Sequence, residues 1–373
     1  MSQWHRALVR HDGKVVVMDR STRKPEGYEL TVSPIYAGLC GTDIQMLRGL
    51  RDDPSLILGH EGIARVTEVG KDVPANLAPG TLVCINPTHR SDPAFLLGHN
   101  VEGLLQENVL IPAIAVRDGL VIPLSTVHHS ATATLLEPLA AVHYAFELLS
   151  DHNPDTLVVF GDGVIGHLAV RAAADKLVAG IRIQHLHHTE QGMAWSRRYE
   201  AGAAQCVLNN AAGTALLSSL SEGARVAVLI ATPRNATLAC LETALRYIRG
   251  EVRINLLGGL PADAATPLLP GVLLSQIRAA NCGGKPMPGV VQTHQTNHAK
   301  TVQLVGQRGV ANRHLRSAAE ELMKQPERYS SLITHTLSLE KAADVMTHLA
   351  SSTERQFDGR RLIKLAVQFS TET

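Results

Sequence analysis

Residues 157–173, LVVFGDGVIGHLAVRAA, constrain the fold more than any other stretch of the sequence. An apolar run typical of a buried strand leads directly into a glycine-rich turn, and an amphipathic helical pattern follows the turn. In such a unit the first glycine permits a tight turn, the second lets the backbone approach a pyrophosphate, and the third lets the helix pack on the strand. The turn is therefore predicted to bind a dinucleotide through Gly161, Gly163, Val164, Ile165 and Gly166.

The end of the next predicted strand, in IRIQHLHHTEQG, bears on which dinucleotide is bound. NAD-binding domains usually place an acidic residue there, about 20 residues after the turn, to hold the ribose hydroxyls. Here His187, His188 and Thr189 stand at that point, and Glu190 follows them. We take His188 as the candidate contact to the cofactor. No arginine follows directly to bind a 2′-phosphate, so the sequence favours NAD and leaves NADP open.

Two patterns divide the chain. Over residues 1–125, short β-type runs are separated by turns at intervals of about ten residues, which is typical of an all-β fold. From residue 156 onward, apolar strands alternate with amphipathic helices, which indicates a parallel sheet covered on both faces. The predicted class is α/β, with a first domain over residues 1–150 and a doubly wound parallel-sheet domain over residues 151–304.

Composition and charge exclude several classes of protein. The 35 basic and 34 acidic residues nearly cancel, so nothing indicates nucleic-acid binding by bulk charge. The longest apolar stretch is interrupted by Glu137, Pro138 and His143, and the first residues lack the apolar region of a secretory signal. Five scattered cysteines form no disulfide framework. We therefore expect a cytoplasmic protein without a membrane span.

The segment AGLCGTDIQMLRG, residues 37–49, places a thiol, a hydroxyl and a carboxylate in one turn between apolar flanks. Cys40 could be a metal ligand, a nucleophile or a small core residue. An imidazole follows at His60, in GHE, and a carboxylate at Glu137, in LLEPLA. Thiolate, imidazole and carboxylate are all zinc ligands, and three protein ligands leave a fourth position open for catalysis. Taken alone, each residue also has an ordinary structural interpretation.

The order of the motifs is more specific than any one of them. CGTD at 40–43, GHE at 59–61, EPLA at 137–140 and GDGVIG at 161–166 resemble the zinc-dependent medium-chain dehydrogenase/reductase family, particularly its polyol and threonine dehydrogenase branch. SEGARVAVLIAT, LITHTLSLEKAADVM and RRLIKLAV extend the resemblance over nearly the whole chain. It implies a GroES-like β-barrel completed by residues 305–373, a Rossmann domain, and a catalytic zinc in the cleft between the two domains.

The resemblance also implies residue roles. Cys40, His60 and Glu137 are the implied zinc ligands, Glu61 is a neighbour that can enter the coordination sphere, and Asp43 is the carboxylate that orients His60. The implied chemistry is Lewis-acid activation of a small alcohol or carbonyl, with hydride passing to or from the nicotinamide. A polar polyol, amino alcohol or sugar derivative is the expected substrate.

Thr42 and Gln45 concern the proton of the substrate alcohol. The resemblance gives the Thr42 hydroxyl the task of passing on that proton, whereas the ordinary interpretation is a turn residue bonded to its own backbone. Many family members have a histidine three residues later, where this chain has Gln45. An amide cannot carry a proton near neutral pH, so the relay is expected to end through water or His143.

Two further departures from the family affect structure. The stretch that usually holds four cysteines and a structural zinc has only Cys84 here, and His89, Asp92 and His99 fit no closed zinc site. One catalytic zinc and no structural zinc are therefore expected in each chain. Residues 261–300 are longer than the family usually needs. We expect either a solvent-exposed insertion or a loop whose Lys285 meets an anionic substrate group.

Two other functions remain open at this point. A zinc-free reductase of the same fold would not need Cys40, His60 and Glu137 together, and a non-catalytic dinucleotide-binding protein would not need them with Thr42. The dehydrogenase interpretation is therefore favoured. A homodimer or homotetramer is expected by the same resemblance.

Overall fold

A computed structural model describes residues 3–125, 129–200 and 202–369. The chain forms two units, one made of Met1–Glu137 and Leu315–Thr373, the other of Pro138–His314. The first part of the chain is mainly β-structure. Its elements are β1 (Gln3–His11), β2 (Lys14–Thr22), β3 (Leu30–Gly38), α1 (Gly41–Leu47), β4 (Glu61–Val69), β5 (Leu82–Ile85), β6 (Val109–Ile111), α2 (Ala113–Arg117) and β7 (Val121–Pro123).

The middle of the chain alternates helices and strands, as its sequence pattern predicts. Its elements are α3 (Leu136–Ser150), β8 (Thr156–Phe160), α4 (Val164–Lys176), β9 (Arg182–His187), α5 (Glu190–Tyr199), β10 (Gln205–Leu208), α6 (Ala211–Ser218), β11 (Arg225–Ile230), α7 (Thr237–Tyr247), β12 (Glu251–Leu256), α8 (Leu274–Ala279), β13 (Asn281–Cys282), β14 (Gln292–Gln295) and β15 (Thr301–Arg308).

The last part of the chain is mixed. Its elements are α9 (Asn312–Lys324), α10 (Pro326–Ser330), β16 (Ile333–Leu337), α11 (Leu339–Ser351), β17 (Gln356–Phe357), β18 (Arg360–Arg361) and β19 (Lys364–Gln368). In the part of the chain that the structure describes, no helix combines the length and the hydropathy needed to cross a membrane.

The first unit is built on a sheet in the order β16–β19–β3–β4–β5–β7, with β6 also paired to β3. Strand β19 runs antiparallel to β3 and places Ala366 opposite Gly38, so the last strand completes the sheet of the N-terminal part. On its other side β3 pairs with β4, where Gly38 lies opposite Glu61. This register brings the segment after β3, the start of β4 and the start of β19 together.

The second unit is a parallel sheet in the order β10–β9–β8–β11–β12–β15–β13, with β14 antiparallel to β15. The sheet without its edge strand β13 contains six strands. When these six are numbered by their order in the chain, with β8 as the first, they are arranged 3-2-1-4-5-6, as in a doubly wound dinucleotide-binding fold. The central strands are buried apart from their first residues Arg225 and Glu251, and Val158, Val228 and Ile254 belong to one apolar core. The predicted Rossmann architecture is confirmed.

Residues 261–300 contribute to that core. Leu268, Leu269, Leu274 and Ile277 are buried in it, so this part is not a solvent-exposed insertion. The apolar pattern LLPGVLLSQI holds it against the sheet, because burying each leucine side chain contributes about 1.5–3 kcal/mol. Lys285 is exposed in the turn that follows β13, and its contact with a substrate anion stays a prediction.

Candidate metal centre and cofactor turn

The CGTD segment forms the start of α1, and Cys40 is the N-cap of that helix. Cys40 has extended backbone angles, φ −91° and ψ 157°, and the backbone N–H of Thr42 donates to its sulfur at 3.5 Å. The carboxylate of Asp43 reaches back and accepts from the backbone N–H of Cys40 at 2.9 Å. This reciprocal capping box fixes the position of the thiol just after β3.

His60 lies directly before β4 and faces the same carboxylate. Its Nδ1 is 3.7 Å from Oδ1 of Asp43, and neither atom has a hydrogen-bond partner among the described residues. Asp43 is fully buried and His60 is 7% exposed. A buried carboxylate that faces Nδ1 favours the tautomer protonated there, which leaves Nε2 as the ligand atom.

Three side chains offer metal-ligating atoms within 4.8 Å of one another: Cys40, His60 and Glu61. The carboxylate of Glu61 is also ion-paired with the ammonium of Lys364, which is the first residue of β19. Both side chains are buried, and Nζ of Lys364 donates in addition to the carbonyl of Leu39 at 3.3 Å. The ligand group therefore includes a carboxylate that already has a cationic partner.

Glu137 lies at the edge of this group. It is in the first turn of α3 and is half-buried, but its carboxyl is not among the atoms within 4.8 Å of one another. Burial raises the pKa of Glu137, the neighbouring His60 opposes this, and the nearby Asp43 adds to it. The structure thus places Glu61 closer to Cys40 and His60 than the predicted third ligand, Glu137.

The predicted cofactor turn joins β8 to α4. Gly161 has φ +121°, and a Cβ there would lie 2.4 Å from the carbonyl oxygen of Ala231. A Cβ on Gly166 would lie 1.9 Å from the carbonyl oxygen of Gly161. Gly163 is the N-cap of α4, and a Cβ there would meet nothing within 4 Å. The first and third glycines are therefore required by packing, whereas the second keeps a space open.

The two histidines at the end of β9 differ in their exposure to solvent. His187 is fully buried, whereas His188 is exposed. Thr189 caps α5 by accepting from the backbone N–H of Gly192 at 3.0 Å, and its hydroxyl donates to a carboxylate oxygen of Asp162 at 3.4 Å. Only His188 of the two histidines is accessible to a cofactor, and its contact stays a prediction.

Comparison with known proteins bears on the fold. Residues 26–118 match the family model of the alcohol dehydrogenase GroES-like domain. A provisionally assigned zinc-binding dehydrogenase from Sinorhizobium meliloti 1021, bound to NADP, is 20% identical with a TM-score of 0.72, over 98% of this chain and 99% of its own. Galactitol-1-phosphate dehydrogenase from Escherichia coli is 18% identical with a TM-score of 0.72, over 97% and 99%. The chain has the fold of these dehydrogenases.

The sequence match to a curated relative covers a smaller part of the chain. Glucose 1-dehydrogenase 1 from Vulcanisaeta moutnovskia is 28% identical over 178 residues, which are 42% of this chain and 50% of that protein. The matched region thus spans about half the length of this curated relative. The predicted family resemblance, with a GroES-like domain and a Rossmann domain, is confirmed at the level of the fold.

The electrostatics of Cys40 bear on the choice between ligand and nucleophile in this dehydrogenase fold. Burial raises the pKa of the Cys40 thiol to about 11, with a further rise from Asp43 that Lys364 opposes. Such a thiol is protonated at neutral pH unless a cation is added next to it, because the thiolate is the reactive form. A self-activated nucleophile is therefore disfavoured, and a metal ligand is not.

The donor set fits zinc. Sulfur, imidazole nitrogen and carboxylate oxygen are the atoms that zinc takes from proteins, and an imidazole held by a buried carboxylate is a common arrangement around it. The hydroxyl of Thr42 lies 3.7 Å from the sulfur of Cys40, and Gln45 is half-buried on the same short helix. The structure thus brings Thr42 to the ligand group, while its proton-transfer role stays a prediction.

Two residues of the site were not identified as site residues from the sequence. Lys364 is the one cation within the apolar run LIKLAV, and that isolation is the signal that could have found it. His99, considered above only as a ligand of a second zinc, has its ring centroid 5.1 Å from that of His60. Its Nδ1 is 3.0 Å from a carboxylate oxygen of Asp53, and burial lowers its pKa to about 4.

Proposed function

We propose that the chain is a zinc-dependent dehydrogenase that transfers hydride between a nicotinamide cofactor and a small, hydroxylated alcohol or carbonyl compound. The observation that carries the proposal is the convergence of Cys40 and His60, which together with Glu61 offer potential ligating atoms within 4.8 Å of one another. The hydroxyl of Thr42 next to Cys40 adds a group that can exchange protons. A protein that only binds a dinucleotide needs neither.

We propose that Cys40, His60 and Glu137 hold the metal. If Glu61 bound the metal, it would have to break its ion pair with Lys364. The buried ammonium of Lys364 would then have no anionic partner, which is unfavourable in free energy. Glu137 instead has a pKa that burial raises, so an added cation would relieve the cost of its buried charge. When bound, zinc supplies Lewis-acid polarisation of the substrate oxygen.

Thr42 is proposed to handle the proton. In the oxidative direction its hydroxyl would take up the proton of the substrate alcohol as it gives its own hydrogen to water, and a bound nicotinamide would supply the hydride acceptor. In the reductive direction it returns that proton to the substrate oxygen. Gln45 can donate and accept hydrogen bonds but cannot ionise, so we propose that the proton leaves Thr42 through water.

The cofactor is proposed to bind over the turn at Gly161–Gly166. The backbone N–H groups of Val164 and Ile165 lie in the first turn of α4, where an anion is stabilised by unpaired donors and by the helix dipole. His188 is exposed at the end of β9, where the ribose is expected. We propose NAD, because no arginine follows His188 directly to pair with a 2′-phosphate; NADP, held by the Sinorhizobium protein, is the alternative.

The substrate class is proposed from the relatives and the chemistry together. Glucose 1-dehydrogenase and galactitol-1-phosphate dehydrogenase both act, by their names, on polyhydroxylated compounds. We propose a polyol, an amino alcohol or a sugar derivative for this chain. A homodimer or homotetramer in the cytoplasm is the proposed setting.

A panel assay tests the proposal. Zinc-replete protein is mixed with NAD or NADP and with polyols, amino alcohols, sugars and sugar phosphates, and the nicotinamide absorbance is followed. The proposal expects turnover with at least one class and none for Cys40→Ser. Binding of either cofactor without turnover of any compound would instead support the non-catalytic dinucleotide-binding protein.

A further inference from the structure

The second unit contains a cluster of polar side chains where a parallel sheet is usually apolar. Strand β9 places His185 and His187 on one face, because side chains two residues apart share a face. Cys206 on β10 is paired with His185 in the parallel register. Both histidines are fully buried. Strands covered on both faces are normally runs of Val, Ile and Leu, so this composition needs a physical reason.

The three side chains converge. One ligating atom from each of His185, His187 and Cys206 lies within 4.8 Å of the others. The two imidazole rings have centroids 4.0 Å apart. The thiol of Cys206 also contacts the carbonyl oxygen of Ala204, at 3.8 Å. Two imidazoles and a thiol at this separation form a nitrogen and sulfur donor set of the kind that zinc prefers.

The orientation of His185 points its ligating atom into the group. Its Nε2 is 2.9 Å from the carbonyl oxygen of Gly161, the first glycine of the cofactor turn. An imidazole that donates to a backbone carbonyl through one nitrogen offers the other nitrogen as a lone pair, as metal-bound histidines usually do. That other atom, Nδ1, is buried and faces the carboxylate of Glu200 at 3.5 Å.

Glu200 adds a carboxylate next to these nitrogen and sulfur donors. Its Oε2 lies 3.5 Å from Nδ1 of His185 and is also buried without a hydrogen-bond partner in the described part of the chain. Its Oε1 is held separately, 2.8 Å from Nδ1 of His167. One carboxylate oxygen is therefore fixed and the other is directed at His185. Oε2 of Glu200 and Nδ1 of His185 are partners in a buried ion pair, and a carboxylate beside an imidazole is a common neighbour of a metal-bound histidine.

We propose that His185, His187 and Cys206 form a second zinc site, inside the cofactor-binding unit, with the carboxylate of Glu200 beside it. An ion there would tie β9 to the edge strand β10. Through the contact from His185 to Gly161, it would also support the turn that is predicted to bind the pyrophosphate. Cys206 is half-buried on an edge strand, which gives an ion access from solvent. This site is independent of the proposed catalytic centre.

Cobalt binding by the full chain tests the site. The proposed catalytic centre is first disabled by Cys40→Ser, so that a thiolate-to-cobalt charge-transfer band can arise only from another cysteine. We expect the metal-free Cys40→Ser protein to develop that band on titration with Co²⁺ alone and to saturate at one ion. Adding Cys206→Ser should abolish the band and weaken cobalt binding by roughly 100-fold or more, since even outer contacts of a metal site contribute 10–100-fold.

A matched control separates the site from general effects on folding. Cys282 is another half-buried cysteine of the same unit, so Cys40→Ser/Cys282→Ser should keep both the band and the affinity. His187→Asn, which keeps a polar group of similar size, should also lose the band, and circular dichroism checks that each variant is folded. A folded Cys40→Ser protein without a charge-transfer band, or a band that persists in Cys40→Ser/Cys206→Ser, would overturn the proposal.

Discussion

The ammonium of Lys364 and the carboxylate of Glu61 form a fully buried ion pair beside Cys40, joining the start of β19 to the start of β4. The pair lies within the candidate metal centre, where Glu61 is one of three side chains whose potential ligating atoms converge. Lys364 therefore decides whether Glu61 is available to a metal ion. Breaking a buried pair leaves an uncompensated charge, so this pair is the part of the site most sensitive to substitution.

Replacing Lys364 by methionine should destabilise the metal-free protein by about 3–5 kcal/mol, because it leaves the Glu61 carboxylate buried without a cation. The double variant Lys364→Met/Glu61→Gln should recover most of this loss. Urea denaturation of the three metal-free proteins measures the coupling. Equal stabilities of the single and the double variant would contradict the ion pair.

Gly38→Ala should disturb the same pair from its backbone side. A Cβ on Gly38 would lie 2.6 Å from Cε and 2.7 Å from Nζ of Lys364, and 3.0 Å from Cβ of Thr134. Since Lys364 is fully buried, it cannot swing into solvent, and a loss of about 1–3 kcal/mol is expected.

Gly41→Ala is the matched control, because a Cβ there would meet nothing within 4 Å. Its stability should stay within about 0.5 kcal/mol of the wild type in the same denaturation experiment. If both alanine variants are equally stable, the close approach of Lys364 to Gly38 is wrong.

His99 should make the metal-free protein sensitive to acid. Burial lowers its folded-state pKa to about 4, below the usual value near 6.5 for an unfolded chain. The unfolded state therefore binds the proton first, and stability present above about pH 6.5 is lost as the pH falls toward 4. The loss attributable to His99 should be about 2–3 kcal/mol.

The His99→Gln variant isolates this effect from that of other acidic groups. Denaturation at pH 7 and at pH 4.5 should give a smaller difference for His99→Gln than for the wild type. Identical pH dependence in the two proteins would mean that His99 is not held neutral beside His60.

Gly163→Val tests the cofactor turn without a packing penalty. A Cβ at Gly163 would meet nothing within 4 Å and the residue has φ −91°, so the variant should fold normally. Side-chain atoms at this position should nevertheless block the approach of a pyrophosphate to the backbone. Calorimetry should give a dissociation constant for NAD that is at least tenfold weaker, whereas Gly223→Ala, at another uncrowded position, should bind as the wild type does.

Thr42→Val should keep the metal and lose turnover. Valine has the shape of threonine without the hydroxyl, and a positioned proton-transfer group usually contributes about 10²-fold or more to the rate. Thr42→Ser keeps the hydroxyl and should retain most of the activity. Full turnover by Thr42→Val with the substrate found in the panel would reduce Thr42 to a turn residue.

The sequence could predict features that local chemistry determines. The glycine turn after an apolar strand predicted the Rossmann unit, because the turn geometry and the alternation of strands and helices depend on residues that are close together in the sequence. Cys40 and His60 could also be identified as ligand candidates, since their motifs occur in the order of a known family.

Features that depend on long-range distances could not be predicted in the same way. Lys364 pairs with Glu61 across 303 positions of the sequence, and no local pattern records that contact. For the same reason, the sequence did not indicate that Glu61 lies closer to Cys40 and His60 than Glu137 does. The sequence did not show where residues 261–300 lie, and only the folded sheet shows that apolar side chains between residues 264 and 277 help to form its core.

The central claim is that Cys40 and His60 hold the metal on which hydride transfer depends. The most direct measurement is the initial rate of nicotinamide reduction against bound zinc, for protein stripped by a chelator and then given zinc in steps. In the wild type and in Cys282→Ser the rate should rise with added zinc and level off once the centre at Cys40 and His60 is filled, and in Cys40→Ser it should stay at background at every zinc concentration. A rate that survives complete removal of zinc, or a Cys40→Ser variant that turns over as fast as the wild type, would contradict the account.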